Sequence, residues 1–104
     1  MNIEELIEFA LETPNMKVIS KAISSDTRLK ILKMLNDNMK KDAMPLDIST
    51  IAKMHGQTEA NVSAQVKKLE KAGLVKSGYV PGQHGIRKLC FLPHDARIEV
   101  YYHK

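Results

Sequence analysis

The side chains best suited to recognise another molecule lie between Gln57 and Lys71, where amides, hydroxyls and lysines alternate with apolar residues. Val62, Val66 and Leu69 recur at the spacing of the buried face of an α-helix. At about 100° per residue, the polar side chains then point outward or flank that face. Because amides can pair with base edges and lysines can neutralise phosphate, the pattern predicts contacts with double-stranded DNA. The candidates for base contact are Gln57, Thr58, Ala60, Asn61, Ser63, Ala64 and Gln65, and those for phosphate contact are Lys67, Lys68 and Lys71.

The same residue types also cover ordinary solvated helices, and the surrounding sequence decides between the two interpretations. Thr58 is a candidate N-cap, and Gly73 stands where a left-handed residue would end the helix. A shorter apolar pattern precedes this helix, with Ser49 as its candidate N-cap and Gly56 at the bend between the two. Two short helices joined by a tight turn form a helix-turn-helix, which we predict over residues 46–75 and which favours DNA binding.

Beyond this motif the pattern becomes typical of β-strands. Leu74–Val80 and Ile86–Leu92 are rich in β-forming residues, and Pro81–Gly85 between them predicts a hairpin with a loop longer than two residues. A helix-turn-helix followed by a hairpin is a winged helix, and the predicted wing covers residues 74–92. The wing candidates for contact with the minor groove or the phosphate backbone are Gln83, His84, Arg87 and Lys88, although a solvated hairpin tip carries similar residues.

The residues before the motif predict helices that support it. Residues 2–11 open with an Asn-x-x-Glu capping box and continue with apolar residues at helical spacing. Pro14 separates this helix from a second apolar stripe over residues 16–23, because proline disfavours helical geometry in the residue before it. Residues 24–35 predict a third helix, and residues 36–41 have the composition of a loop. The expected fold class is therefore mainly α with a small β-hairpin, a winged helix-turn-helix.

The first predicted helix carries more apolar surface than a small domain needs to cover its core. Such surplus often binds a second subunit, so we predict a homodimer formed through residues 1–23. The alternative is that these apolar residues only cover the core of a monomer. The candidates for dimerisation are Ile3, Leu6, Ile7, Phe9, Ala10 and Leu11.

Length and composition indicate one soluble domain spanning residues 1–104. The chain carries a net charge of +4, but residues 1–12 hold four glutamates and no Lys or Arg, which leaves +8 on the remainder. A basic body suits a polyanionic partner, although scattered lysines also serve solubility alone. No apolar run approaches the roughly 18 residues of a membrane span.

Cysteine usage and the absence of catalytic motifs narrow the class further. Cys90 is the single cysteine, which excludes a disulfide within the chain and indicates a cytoplasmic protein. Its position among apolar residues predicts a small core side chain rather than a redox switch. The sequence contains no phosphate-binding glycine loop, nucleophile elbow or Ser/His/Asp arrangement, so no enzyme is predicted. Residues 97–102 alternate as a terminal strand would, though a helix is the alternative.

Residues 19–35, ISKAISSDTRLKILKML, resemble the opening of the ArsR-like family of bacterial and archaeal winged-helix transcriptional regulators, whose members typically have ALSDPTRLKIL there. The similarity continues without a gap over residues 46–75, is strongest in Leu69–Val75, and extends over about residues 15–92. These motifs are specific for the winged-helix fold and less so for this family against its MarR-like relatives. The resemblance implies a DNA-binding transcriptional regulator. At residues 63–65 the chain has Ser-Ala-Gln where the family usually has Ser-Arg-His, so specificity is expected from amides and small residues, with lysines supplying affinity.

Many members of the resembled family sense metals, through a Cys-x-Cys pattern before the recognition helix or through Asp and His on a C-terminal helix. Residues 47–50 contain no cysteine, and His94, Asp95 and His103 form no compact ligand set, so we predict no metal and no cofactor. Nothing in the sequence indicates a small-molecule effector.

Two alternatives stay open from the sequence. Arg28 lies at the start of its helix within the family-like motif, and it has either a functional role there or only pairs with a carboxylate. A winged helix can also serve as a protein-interaction module, because the fold alone does not determine function.

Overall fold

The computed structural model describes residues 2–12, 14–42 and 44–93. The predicted terminal strand at residues 97–102 lies outside these ranges. Within them, no helix is both long and apolar enough to span a bilayer. The elements are α1 (Ile3–Glu12), α2 (Pro14–Ala22), α3 (Asp26–Lys40), β1 (Leu46–Asp47), α4 (Ile48–His55), α5 (Glu59–Lys71), β2 (Lys76–Gly82) and β3 (Gly85–Phe91). The architecture confirms the expected winged helix, and it adds the short strand β1 to the hairpin.

The hydrophobic core lies where α3, α4 and α5 meet the sheet. Each helix contributes the residues that recur on one of its faces, as the apolar spacing of α5 predicts. Cys90 of β3 is fully buried among them, which confirms its predicted place in the core. The largest fully buried side chains are Ile31, Leu35, Ile51, Val62, Val66, Leu69 and Cys90.

The first helix of the motif, α4, begins two residues earlier than its predicted cap allows. Asp47 is the N-cap, and its carboxylate accepts the Thr50 N–H at 2.8 Å. The prediction of Ser49 in this role is wrong, because the backbone of Asp47 is extended while Ile48 is already helical. Gly56 ends α4 with φ of 66°, a left-handed conformation that glycine adopts without strain, as the predicted bend requires.

The ends of α5 agree with the sequence pattern. The Thr58 hydroxyl accepts the Asn61 N–H at 3.1 Å, which confirms it as the N-cap. Gly73 follows the helix with φ of 76°, as expected for a left-handed residue at this position. Both ends of the predicted recognition helix are therefore determined by local sequence.

The third helix is longer than predicted, since α3 includes most of the expected loop at residues 36–41. The polar side chains of this segment find partners that are compatible with a helix. Lys33 and Asp37, one turn apart, are joined at 3.5 Å, and the Asn38 amide donates to the Met44 carbonyl at 2.8 Å. Loop-like composition was misleading here because it does not report such contacts.

The wing is a tight hairpin. The sheet order is β1-β3-β2, and Gly82 pairs with Gly85, so only Gln83 and His84 lie in the turn. The prediction of a longer loop is wrong because Pro81 remains in β2. That strand lies at the edge of the sheet and pairs with β3 alone, and an edge tolerates a residue that has no N–H to donate.

The N-terminal helix α1 begins as predicted, with the Glu5 N–H donating to the Asn2 side-chain oxygen at 2.8 Å. Three of its apolar side chains are not covered by the rest of the described chain. Ile3, Ile7 and Leu11 are 76%, 54% and 73% exposed. The helix therefore presents a free apolar face. The side chains of Leu6, Phe9 and Ala10, also predicted for dimerisation, lie outside the description.

Candidate nucleic-acid interface

The outer surface of α5 and the turn before it form the candidate reading face. Because Val62, Val66 and Leu69 are buried, the polar side chains are turned away from the core. Asn61, Ser63 and Gln65 are half-buried at its margin. The exposed members of the predicted set are Gln57, Thr58, Ala60, Ala64, Lys67, Lys68 and Lys71.

Three amide side chains on this face form a continuous row of hydrogen bonds. The Gln65 amide donates to the Asn61 side-chain oxygen at 3.3 Å, and the Asn61 amide donates to the Gln57 side-chain oxygen at 2.9 Å. Successive members of the row are four residues apart, so the row extends for about 12 Å along the helix axis. We call Gln57, Asn61 and Gln65 the amide row. Thr58 lies beside it, and its hydroxyl oxygen accepts the cap hydrogen bond from the Asn61 N–H.

Arg28 at the start of α3 contacts the inner end of the amide row. One guanidinium nitrogen, Nη1, donates to Gln65 Oε1 at 2.8 Å. The other two donate to carbonyls at the end of α2, from Nε to Ala22 at 2.5 Å and from Nη2 to Lys21 at 3.1 Å. Within the described chain its partners are thus an amide and two carbonyls rather than the carboxylate that the sequence left open. The sequence located this residue in a motif but gave no sign of its partners.

The wing residue Arg87 is bound to the helix-turn-helix. Its Nε and Nη2 atoms lie 2.9 Å and 2.8 Å from Asp47 Oδ2, the carboxylate that also caps α4. The side chain crosses Gly82 so closely that a Cβ at that glycine would lie 2.6 Å from Arg87 Cγ. Hydrogen bonds from Thr50 lower the pKa of Asp47 below its ordinary value, and Arg87 adds to this effect. The sequence did not identify Asp47 as a member of the site.

Lys88 is also held by the protein. Its ammonium lies 2.5 Å from Glu70 Oε1, near the end of α5, and the Ser77 hydroxyl donates to the same oxygen at 3.2 Å. Burial opposes the charge of Lys88, but the hydrogen bond and the negative charge of Glu70 outweigh it and raise the pKa. Of the four predicted wing contacts, Gln83 and His84 are exposed at the tip, whereas Arg87 and Lys88 attach the wing to the body.

An open groove of about 890 Å³ separates the wing from the start of α4 and α5. Its lining includes Ser49, Glu59 and the wing residues from Pro81 to Lys88. Glu59 is exposed in the first turn of α5, so one carboxylate borders the otherwise basic reading face. Phosphate contact is therefore favoured further along α5 rather than in this groove.

The cations further along α5 have no acidic partner in the described ranges. The ion pairs within the described ranges join Lys33 to Asp37, Arg87 to Asp47 and Lys88 to Glu70. Lys67, Lys68 and Lys71 are exposed and take part in none of them, so their charges remain available to a polyanion. No cluster of three His, Cys, Asp or Glu side chains suited to a metal occurs in residues 2–12, 14–42 and 44–93.

Comparison with known proteins agrees with this geometry. The family model described as "Bacterial regulatory protein, arsR family" matches residues 25–77. The solved structure of reduced HlyU from Vibrio cholerae is 22% identical, with 89% of this chain and 84% of that chain covered and a TM-score of 0.65. Another structure of HlyU from Vibrio cholerae is 22% identical, with coverages of 78% and 77% and a TM-score of 0.58.

A crystal structure of an ArsR family transcriptional regulator is 20% identical, with 76% of this chain and 71% of that chain covered and a TM-score of 0.58. At these identities the structural likeness concerns the fold alone. No protein of curated function matches the sequence.

Proposed function

We propose that two copies of this chain read a partly palindromic operator. The chain belongs to the bacterial arsR family of regulatory proteins, and it is accordingly a DNA-binding transcription regulator and not an enzyme. The observation that carries the proposal is the amide row on the outer surface of α5, followed along the same helix by lysines without acidic partners. A helix with neutral donors and acceptors at one end and cations at the other suits base contact followed by phosphate contact.

In this proposal the N-terminal half of α5 enters the major groove. The amide row is about 12 Å long, and base pairs are stacked about 3.4 Å apart, so the row reaches three or four base pairs. Thr58 and Ser63 supply hydroxyl contacts beside it, and Ala60 and Ala64 leave room for thymine methyl groups. Each good bidentate contact discriminates against a wrong base by about 1–3 kcal/mol.

Lys67, Lys68 and Lys71 bind phosphate in this arrangement and supply affinity without sequence information. Two subunits provide six such contacts, and the affinity then falls about a thousandfold between 50 and 200 mM salt. The exposed wing tip, Gln83 and His84, contacts the backbone or the minor groove. Arg87 and Lys88 keep the wing in place, because both are paired with carboxylates of the body.

Dimerisation through residues 1–23 is supported by the exposed apolar face of α1. Ile3, Ile7 and Leu11 would lose exposed apolar surface on pairing with the same face of a second subunit. In this proposal residues 1–104 act as one unit in the cytoplasm, where the DNA is. The helix-turn-helix at residues 46–75 reads the bases, and residues 74–92 form the wing.

Selection of bound sequences from a random duplex library, with the full chain, tests this proposal. We expect enriched sequences related by a two-fold axis, and a steep loss of affinity with salt. Asn61→Ala or Gln65→Ala should relax the preference at individual base pairs, whereas Lys68→Ala should weaken all sequences alike. A library without enrichment, although DNA binds at low salt, would contradict specific reading. Absence of binding even at low salt would favour the protein-interaction module.

A further inference from the structure

The contact between Arg28 and Gln65 determines which way the Gln65 amide faces. A guanidinium has only donors, so the group that it meets at 2.8 Å must be the amide oxygen, Oε1. The Gln65 amide nitrogen is therefore turned along the helix, toward Asn61. An arginine of α3 thus fixes the orientation of a side chain of α5 that would otherwise be free to rotate.

This orientation is passed along the amide row. Since the Gln65 nitrogen donates, Asn61 must present its oxygen, and the Asn61 nitrogen then donates to the oxygen of Gln57. Every carbonyl in the row is engaged inside the protein. Gln65 and Asn61 each keep one free N–H, and Gln57 keeps two, so the row presents donors to an approaching molecule.

We propose that Arg28 is a specificity-determining residue, which sets the amide row to donate and thereby selects base edges that accept. The inference rests on the proposed function, since it concerns the bases that α5 reads. In the major groove, guanine offers the acceptors N7 and O6 and thymine offers O4, whereas adenine presents the donor N6 beside N7 and cytosine the donor N4. The bidentate adenine contact needs the amide oxygen as well as the nitrogen, and each oxygen of the row already accepts one hydrogen bond, from Arg28 or from the next amide, which makes it a poorer acceptor for adenine N6 than the free N–H groups are donors. The row therefore prefers guanine or thymine, contrary to what isolated amides on a helix would indicate.

Arg28 also binds the last carbonyls of α2, at Lys21 and Ala22, so its replacement will affect stability as well. A loss of folding or of overall affinity would not separate the two roles. The informative measurement is the base preference at the positions that depend on Gln65 and Asn61. A purely structural arginine has no effect on that preference once the variant is folded.

The test compares selected sequences for the full-length wild type and for Arg28→Lys, which keeps the charge but lacks the planar fork. Lys30→Ala is the matched control, because Lys30 is an exposed cation of the same helix. Gln65→Ala first identifies the base positions that depend on the row. At those positions we expect guanine or thymine in the wild type and in Lys30→Ala, and a loss of about tenfold in that preference in Arg28→Lys.

A further control uses the double variant. If Arg28 acts through the row, adding Arg28→Lys to Gln65→Ala should leave the base preference of Gln65→Ala unchanged. Circular dichroism and binding to random duplex DNA verify that each variant is folded.

The outcomes distinguish this inference from the proposed function. A wild type that selects no sequence overturns the proposed function, and the inference with it. A wild type that selects adenine at the row-dependent positions overturns the inference alone, whether or not the Arg28 variant folds. The same holds if Arg28→Lys keeps the wild-type preference while weakening all sequences equally.

Discussion

Asp47 performs two structural tasks with one carboxylate, and replacing it should measure both. One oxygen accepts the Thr50 N–H at the start of α4, and the other binds the Arg87 guanidinium of the wing. Loss of an N-cap costs about 1 kcal/mol. The ion pair adds about 0.5–1 kcal/mol, since the Arg87 side chain is 50% exposed while that of Asp47 is 13% exposed. For Asp47→Ala we therefore expect a loss of about 1.5–2 kcal/mol in the free energy of unfolding, and a fall of about 6–16 °C in Tm.

Two further variants separate the tasks. Asp47→Asn keeps a good capping side chain but removes the charge that binds Arg87, so we expect a loss of only about 0.5–1 kcal/mol. Asp37→Ala removes a carboxylate from an exposed pair within α3 and should cost a few tenths of a kcal/mol. Thermal unfolding followed by circular dichroism at one fixed protein concentration provides the comparison, because association would shift Tm. An Asp47→Ala variant no less stable than Asp37→Ala would refute the double role, and equal losses in Asp47→Asn and Asp47→Ala would refute the cap.

Four further predictions follow from the site and the core. The pKa of Asp47 is lowered in the folded protein, so its contribution to stability is complete above about pH 4 and is lost as the pH falls through the folded-state pKa. In urea titrations, the free energy of unfolding of Asp47→Asn should therefore fall less steeply with decreasing pH than that of the wild type. Burial raises the pKa of the Cys90 thiol and shields it from reagents, so at pH 8 an aromatic disulfide should modify the native protein much more slowly than the denatured chain. Ile7→Glu should yield monomers by sedimentation, whereas Met54→Glu, a similarly exposed site in α4, should not. Lys68→Ala should reduce the salt slope of DNA binding by about one per subunit, and an unchanged slope would exclude phosphate contact.

Features that depend on local spacing could be predicted from the sequence. The buried face of α5 follows from Val62, Val66 and Leu69, and its ends follow from Thr58 and Gly73. Each of these signals acts within a few residues, through helical periodicity, an orphan backbone N–H or a left-handed φ. Local rules therefore predicted the extent of α5 and which of its side chains face outward.

Features that depend on packing could not be predicted in this way. Arg28 meets Gln65 across 37 residues of sequence, and Arg87 meets Asp47 across 40, so neither pair has a spacing signature. Both depend on how α3 and the wing are placed against the helix-turn-helix. The sequence consequently assigned Arg87 to DNA, because an arginine near a hairpin tip looks the same whether or not a carboxylate lies beside it.

The described arginines, Arg28 and Arg87, are both engaged inside the protein, whereas the cations left exposed on α5 are lysines. This division has a consequence for recognition. Arginine is the side chain that most often reads guanine by two hydrogen bonds, and lysine on phosphate carries no sequence information. Discrimination in the proposed complex therefore comes from neutral amides, whose contacts release no counterions, while affinity comes from charges that do. Affinity for every duplex should accordingly fall steeply with salt, yet the ratio between operator and random DNA should stay nearly constant. A ratio that falls with salt as steeply as the affinity would show that charged side chains read the bases instead.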